Sequence, residues 1–166
     1  MTRLPWQIYI LYGTAIFFTI SGFICINLAF FAPWWIIRAD GEGLGIIPYA
    51  AEPAWFGSFC IWMYFGFIAY YMAYAHMIFV LLAGRRKWSV RTIRMLAGTS
   101  DSFVLITFFI ILIQNIILQN KLYDIRIEKD ASFPTMGASV YLSYIGIVCL
   151  GFPGGYITNY ARRYTV

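Results

Sequence analysis

Four long apolar stretches, separated by short polar segments, dominate the pattern of hydrophobic and polar positions along this chain. An α-helix needs about 20 predominantly apolar residues to cross the hydrocarbon core of a bilayer. The pattern therefore predicts four transmembrane helices, over about residues 7–32, 55–83, 101–119 and 135–156. Because the connections are short, we expect one four-span membrane domain over residues 1–166. This would be an all-α antiparallel bundle in which each helix packs beside its sequence neighbours.

The segments that flank these stretches carry interface and capping signals. Trp34 and Trp35 follow the first stretch, a position that suits indoles at the membrane interface with their N–H groups hydrated. The glycine-rich loop after them is long enough for a short hairpin. Thr99-Ser100-Asp101 predicts a helix N-cap at the start of the third stretch. The segment after the third stretch is expected to be a short strand or a continuation of the helix.

Charged residues are sorted between the connections. Six of the seven acidic residues lie in the first and third connections. The second connection is basic, with Arg85, Arg86, Lys87, Arg91 and Arg94. By the positive-inside rule, the second connection and both chain termini are predicted to be cytoplasmic, and the two other loops to be outside.

Composition excludes most soluble functions. The chain is 61% hydrophobic and 11% charged, whereas about a quarter of a soluble domain is charged, so its solvent is lipid. The net charge of +5 does not indicate a nucleic-acid partner, because the basic residues flank membrane spans. We assign those residues to membrane topology and to contacts with lipid headgroups.

Few side chains could support catalysis or metal binding. The three cysteines, Cys25, Cys60 and Cys149, fall in apolar stretches, and no spacing resembles a metal site. We therefore expect no enzyme activity, no cofactor and no metal. His76 is the one histidine. It is either a neutral imidazole that hydrogen-bonds within the bundle or a functional ligand or proton relay.

The second stretch carries an aromatic face. Tyr64, Phe67, Tyr71 and Tyr74 recur at i, i+3, i+7 and i+10, so they share one side of a helix. This face is interpreted as a packing surface. The alternative is a surface for a quinone, a sterol or a partner helix.

Small residues predict where helices approach closely, either within the bundle or on a partner. They are Gly66, Ala69 and Ala73 on the second stretch and Gly137, Ser139, Ser143 and Gly146 on the fourth.

The chain ends in Tyr164-Thr165-Val166. PDZ domains bind C-terminal tails of this kind by adding them as a strand and holding the terminal carboxylate. A match over only three residues can also arise by chance. The tail therefore either binds a PDZ scaffold or matches the pattern by coincidence.

Three segments resemble a known family. Pro33-Trp34-Trp35 resembles the Pro-x-Trp that opens the first outer segment of the claudin-like tetraspan superfamily, which includes short invertebrate members. Gly43-Leu44 is similar to that family's Gly-Leu-Trp, with Gly45 in place of the Trp. Gly137 to Tyr141 resembles the glycine- and aromatic-rich start of its fourth helix. Claudins usually carry two disulfide-bonded cysteines in a longer first loop, and this loop has none.

The resemblance implies a non-enzymatic tetraspan protein of the plasma membrane. It would act in cell junctions or as an auxiliary subunit of a channel or receptor, and the short first loop favours the auxiliary role. The expected partners are membrane lipids and a larger integral membrane protein or a second copy of the chain. The alternative function is a structural subunit of an organellar membrane complex of the respiratory or translocation type.

Overall fold

The computed structural model describes residues 6–37, 41–47, 54–83, 89–129 and 135–163. Four helices account for most of them: α1 (Trp6–Phe31), α2 (Ala54–Ala83), α3 (Val90–Lys129) and α4 (Ala138–Arg163). The first three each contain a segment long and apolar enough to cross a membrane. A shorter apolar segment, Ala138–Pro153, lies in α4. The predicted all-α membrane protein with four helices is confirmed.

Helix α3 is longer at both ends than the predicted span. It begins at Val90, where the Ser89 hydroxyl accepts a hydrogen bond from the Thr92 N–H (3.2 Å) and acts as the N-cap. The predicted cap at Asp101 is wrong, because Asp101 lies inside the helix. Ser100 does not cap the helix either, because it lies inside α3. Its buried hydroxyl instead donates to the carbonyl of Ala73 on α2 (2.9 Å).

The connections between helices form a small antiparallel sheet. Its strands are β1 (Ile36–Ile37), β2 (Gly43–Leu44) and β3 (Thr135–Met136), in the order β2-β1-β3. Ile36 pairs with Leu44 on one side and with Met136 on the other. The first loop thus contains the expected hairpin. The segment after the third predicted span first continues α3 to Lys129 and then forms β3. We call this end of the bundle the sheet end, and the other the basic end.

The helices do not all pack beside their sequence neighbours. Helix α2 packs extensively on α3, α3 packs on α4, and α1 packs mainly on α4, whereas α1 and α2 approach at few positions. The expected neighbour packing therefore holds for two pairs and not for α1 with α2. The main partner of the first helix is the last.

Two glycines allow α1 and α4 to pack closely. A Cβ atom on Gly22 would lie 3.0 Å from the carbonyl oxygen of Gly146, and one on Gly146 would lie 3.2 Å from that of Gly22. Tyr70 of α2 is fully buried, and its hydroxyl donates to the same Gly146 carbonyl (3.3 Å). Small residues thus bring two helix backbones together in the way typical of membrane bundles.

Candidate functional site

The sheet end is organised around the fully buried side chain of Trp35. Its indole Nε1–H donates to the carbonyl of Ala29 in the last turn of α1 (2.7 Å). In a continuing helix that carbonyl would accept from the residue four positions on, which is Pro33 and has no N–H. The indole therefore replaces the donor that Pro33 lacks. This gives a physical reason for the Pro-x-Trp spacing.

The backbone around Trp35 joins the first and third connections. Its N–H donates to the Leu44 carbonyl (3.1 Å), and its own carbonyl accepts from Gly137 N–H (3.0 Å). The Trp34 carbonyl accepts from Ser139 N–H at the start of α4 (3.1 Å). One short segment thus holds a strand of its own loop and a segment that lies two helices further along the chain.

Glycine is required where these segments meet. A Cβ atom on Gly43 would overlap the carbonyl oxygen of Pro33, and one on Gly137 would overlap that of Trp34. The three segments that resemble the claudin-like family therefore come together at one place, with their backbones in contact. The approach of Gly137 could not be read from the sequence, because α2 and α3 separate it from the two other segments.

The two tryptophans occupy different environments. Trp34 is 47% exposed, as expected of an interface residue. Trp35 differs from the expectation of a hydrated indole, since it is buried against the edge of the Phe59 ring (centroids 5.7 Å apart). Phe59 in turn stacks on Phe56 (5.6 Å). The physical reason is the Ala29 carbonyl, which offers the indole a partner inside the protein.

The outward surface of the sheet end combines apolar and charged side chains. Trp34 and Ile37 are exposed, as is Glu42. Lys121 and Asp124 form an exposed ion pair (3.6 Å) on α3. Within the described residues no cluster of His, Cys, Asp or Glu could hold a metal ion. The arrangement is suited to binding another surface.

The aromatic face of α2 packs against α1. Tyr74 stacks on Phe23 (4.5 Å), and the Tyr71 hydroxyl donates to Asn27 Oδ1 (2.9 Å). At the sheet end Phe67 and Tyr64 contact Phe30 (centroids 4.0 and 5.8 Å apart), and the Tyr64 hydroxyl donates to the carbonyl of the buried Ile46 (2.8 Å). These large side chains separate the two helix axes, which explains why α1 and α2 approach at few positions.

The small residues of α2 lie in the interior of the bundle. Gly66 faces Ile110 of α3 (3.2 Å from a Cβ), and the buried Thr107 hydroxyl lies 3.3 Å from its carbonyl. Ala69 and Ala73 are buried, and the Ala73 carbonyl accepts the Ser100 hydroxyl. A role for this face toward a partner protein stays a prediction.

The small residues of α4 lie on its buried side. Besides Gly146, described above, they are the fully buried Ser139 and Ser143, and Gly137 lies immediately before the helix. Ser143 donates to the Val140 carbonyl of its own helix (2.6 Å). The Ser139 hydroxyl has no hydrogen-bond partner among the described residues.

The predicted topology and tail residues are only partly described. Arg91 and Arg94 are exposed in the first turns of α3. Two other predicted groups lie outside the described residues. They are the basic residues between α2 and α3 (Arg85, Arg86 and Lys87) and the tail residues (Tyr164, Thr165 and Val166).

His76 bonds within its own helix. Its Nδ1 lies 2.7 Å from the Met72 carbonyl, and because a carbonyl only accepts, Nδ1 carries the proton in this contact. The ring lies beside Phe103 of α3 (5.6 Å). Whether His76 has a further role stays a prediction.

Several polar residues inside the bundle were missed or read differently in the sequence. Asn27 Oδ1 accepts a hydrogen bond from the Tyr71 hydroxyl, and Asn27 Nδ2 donates to the Phe23 carbonyl (2.7 Å). Asn115 of α3 is buried, and its amide has no partner among the described residues. For both asparagines the sequence does contain a signal, which is a polar residue within an apolar stretch. Such residues usually face the interior of a membrane bundle.

Replacing Trp35 by Phe should remove the indole donor and leave the buried Ala29 carbonyl without a partner. An unsatisfied buried group costs about 1–3 kcal/mol, and the free energy of unfolding in mixed micelles should fall by that amount. Pro33→Ala restores a backbone N–H and should recover part of the loss in the double variant. The matched change Trp34→Phe should stay within about 0.5 kcal/mol, as for most exposed positions. Equal effects at the two tryptophans would contradict this account.

Comparison with known families gives a match over nearly the whole chain. A family model described as "Tight junction protein, Claudin-like" matches residues 1–165. No curated protein and no solved structure matches the chain in the corresponding comparisons. The match covers all four helices and the three segments that meet at the sheet end, and the chain therefore belongs to the claudin-like family of tight junction proteins.

Proposed function

We propose that this protein is a non-enzymatic cell-contact protein of the plasma membrane, and that its sheet end faces outside and carries the contact. The observation that supports this most is the convergence of Pro33-Trp34-Trp35, Gly43-Leu44 and Gly137 on one small sheet. Gly137 is separated from the two other segments by α2 and α3, and their packing leaves Trp34 and Ile37 exposed. Exposed aromatic and branched side chains on a fixed backbone are typical of recognition surfaces.

Charge supports the outward orientation of the sheet end. The segment 84–94, which comprises the connection between α2 and α3 and the first turns of α3, has five basic residues and no acidic residue. Of these, Arg91 and Arg94 are exposed at the basic end. Basic segments of short loops are retained in the cytoplasm. With four spans, both chain termini would then be cytoplasmic as well.

An auxiliary subunit of a channel or receptor is the second candidate. It is favoured by the size of the sheet, since its three strands have two residues each. So small a sheet offers little area for a contact between cells, where stable interfaces bury about 800 Å² per partner. In this role the exposed apolar sides of the helices would bind a larger membrane protein laterally.

The orientation is tested by cysteine labelling of intact cells. In a background with Cys25, Cys60 and Cys149 replaced by Ala, Lys121→Cys at the sheet end should react with a membrane-impermeant maleimide. Arg91→Cys at the basic end should react only after permeabilisation. The two variants are matched, since each removes one exposed basic residue. The reverse labelling pattern would contradict the proposed orientation.

The contact role is tested in cells that do not normally adhere to one another. Cells that express the tagged protein are mixed with cells that do not. The tagged protein should concentrate at boundaries between two expressing cells and not at boundaries with non-expressing cells. Trp34→Ala should reduce this enrichment, whereas Phe109→Ala, at an exposed position within the α3 span, should not. Uniform surface distribution with a co-purifying channel or receptor would favour the auxiliary role. Location in an internal membrane with organellar complex subunits would favour the alternative function.

A further inference from the structure

Helix α3 carries a groove on its surface at the basic end. Its volume is about 430 Å³, and its lining includes Arg94, Met95, Gly98, Ser102, Phe103 and Ile106. These positions lie on one side of the helix, about 18 Å from first to last at 1.5 Å per residue. The groove therefore extends from the basic end toward the middle of the span.

Gly98 leaves the groove open. A Cβ atom placed on Gly98 meets no atom of the described residues within 4 Å, so none of the described elements fills this space. The Ser102 hydroxyl donates to the Gly98 carbonyl (2.9 Å), and the Thr99 hydroxyl donates to that of Met95 (2.9 Å). These hydroxyl protons are therefore used within the helix, and the wall toward Phe103 and Ile106 is mainly apolar.

The end of the groove at Arg94, away from Phe103 and Ile106, is cationic. Arg94 lines it and is exposed, and Arg91 is exposed one turn earlier. Neither arginine forms an ion pair with the carboxylates that the structure describes. Asp101, the nearest acidic residue along the helix, does not line the groove. The groove thus has positive charge at the membrane boundary and apolar side chains deeper in the membrane.

We propose that this groove binds one anionic phospholipid, with its headgroup phosphate on Arg94 and an acyl chain along Phe103 and Ile106. The occupant follows from complementarity, since a phospholipid has the same sequence of anionic and apolar parts over a similar length. Anionic lipids are concentrated in the cytoplasmic leaflet, where a nearby basic residue gains about 1 kcal/mol. A free phosphate would use the arginine and leave the apolar part empty.

The test is native mass spectrometry of the full chain, purified in mild detergent and incubated with phosphatidylserine or phosphatidylcholine. The wild-type protein should retain phosphatidylserine in preference to phosphatidylcholine. Arg94→Gln should reduce its retention about fivefold, and Gly98→Leu should abolish it by filling the groove. The Leu side chain meets no neighbour at its Cβ, so the fold should be preserved, and circular dichroism checks this.

Two matched variants serve as controls. Gly13→Leu makes the same substitution at an exposed α1 position that also has no atom within 4 Å of a Cβ. Lys121→Gln removes a basic residue near the sheet end. Both should retain phosphatidylserine as the wild type does. Equal retention in all variants, equal retention of phosphatidylcholine, or displacement of the lipid by inorganic phosphate would each overturn the proposal.

Discussion

A proline that ends a membrane helix leaves a carbonyl without its usual donor, and in this protein the Trp35 indole supplies it. Pro33 cannot donate to Ala29, and water is excluded there because Ala29 is fully buried. The indole N–H, 2.7 Å from that carbonyl, satisfies it from within the protein. Once the indole is fixed, the direction of β1 is fixed too, and the pairing of β2 and β3 on its two sides follows.

This arrangement offers a physical account of a sheet without a disulfide. None of the three cysteines forms a disulfide, and they lie in α1, α2 and α4. The sheet instead depends on a buried aromatic side chain, on hydrogen bonds to both flanking strands and on glycines that allow the backbones to touch. Because β1 pairs on both sides, the strand attached to the buried indole is not an edge strand, which favours a stable register.

The sequence predicted the helices well because apolar length is a strong signal in a membrane protein. It also predicted the shared face of Tyr64, Phe67, Tyr71 and Tyr74, which follows from helical spacing alone. It failed where a distant partner decides the outcome. The sequence predicts a helix start at Ser100 because the hydrogen bond of Ser100 to Ala73 leaves no local signal. It predicts a hydrated Trp35 because nothing in the local pattern marks the Ala29 carbonyl as the acceptor of the indole N–H. The packing of α1 on α4 also depends on a pairing of distant glycines.

The central claim is that segments from the first and third connections form one sheet, and disulfide crosslinking tests it most directly. In a cysteine-free background, Ile37→Cys and Thr135→Cys occupy directly paired positions of β1 and β3. This pair should form a disulfide on mild oxidation. Ile37→Cys with Met136→Cys should not, since successive side chains of a strand point to opposite faces. Failure of the first pair, or equal crosslinking of both, would contradict the proposed sheet and its register.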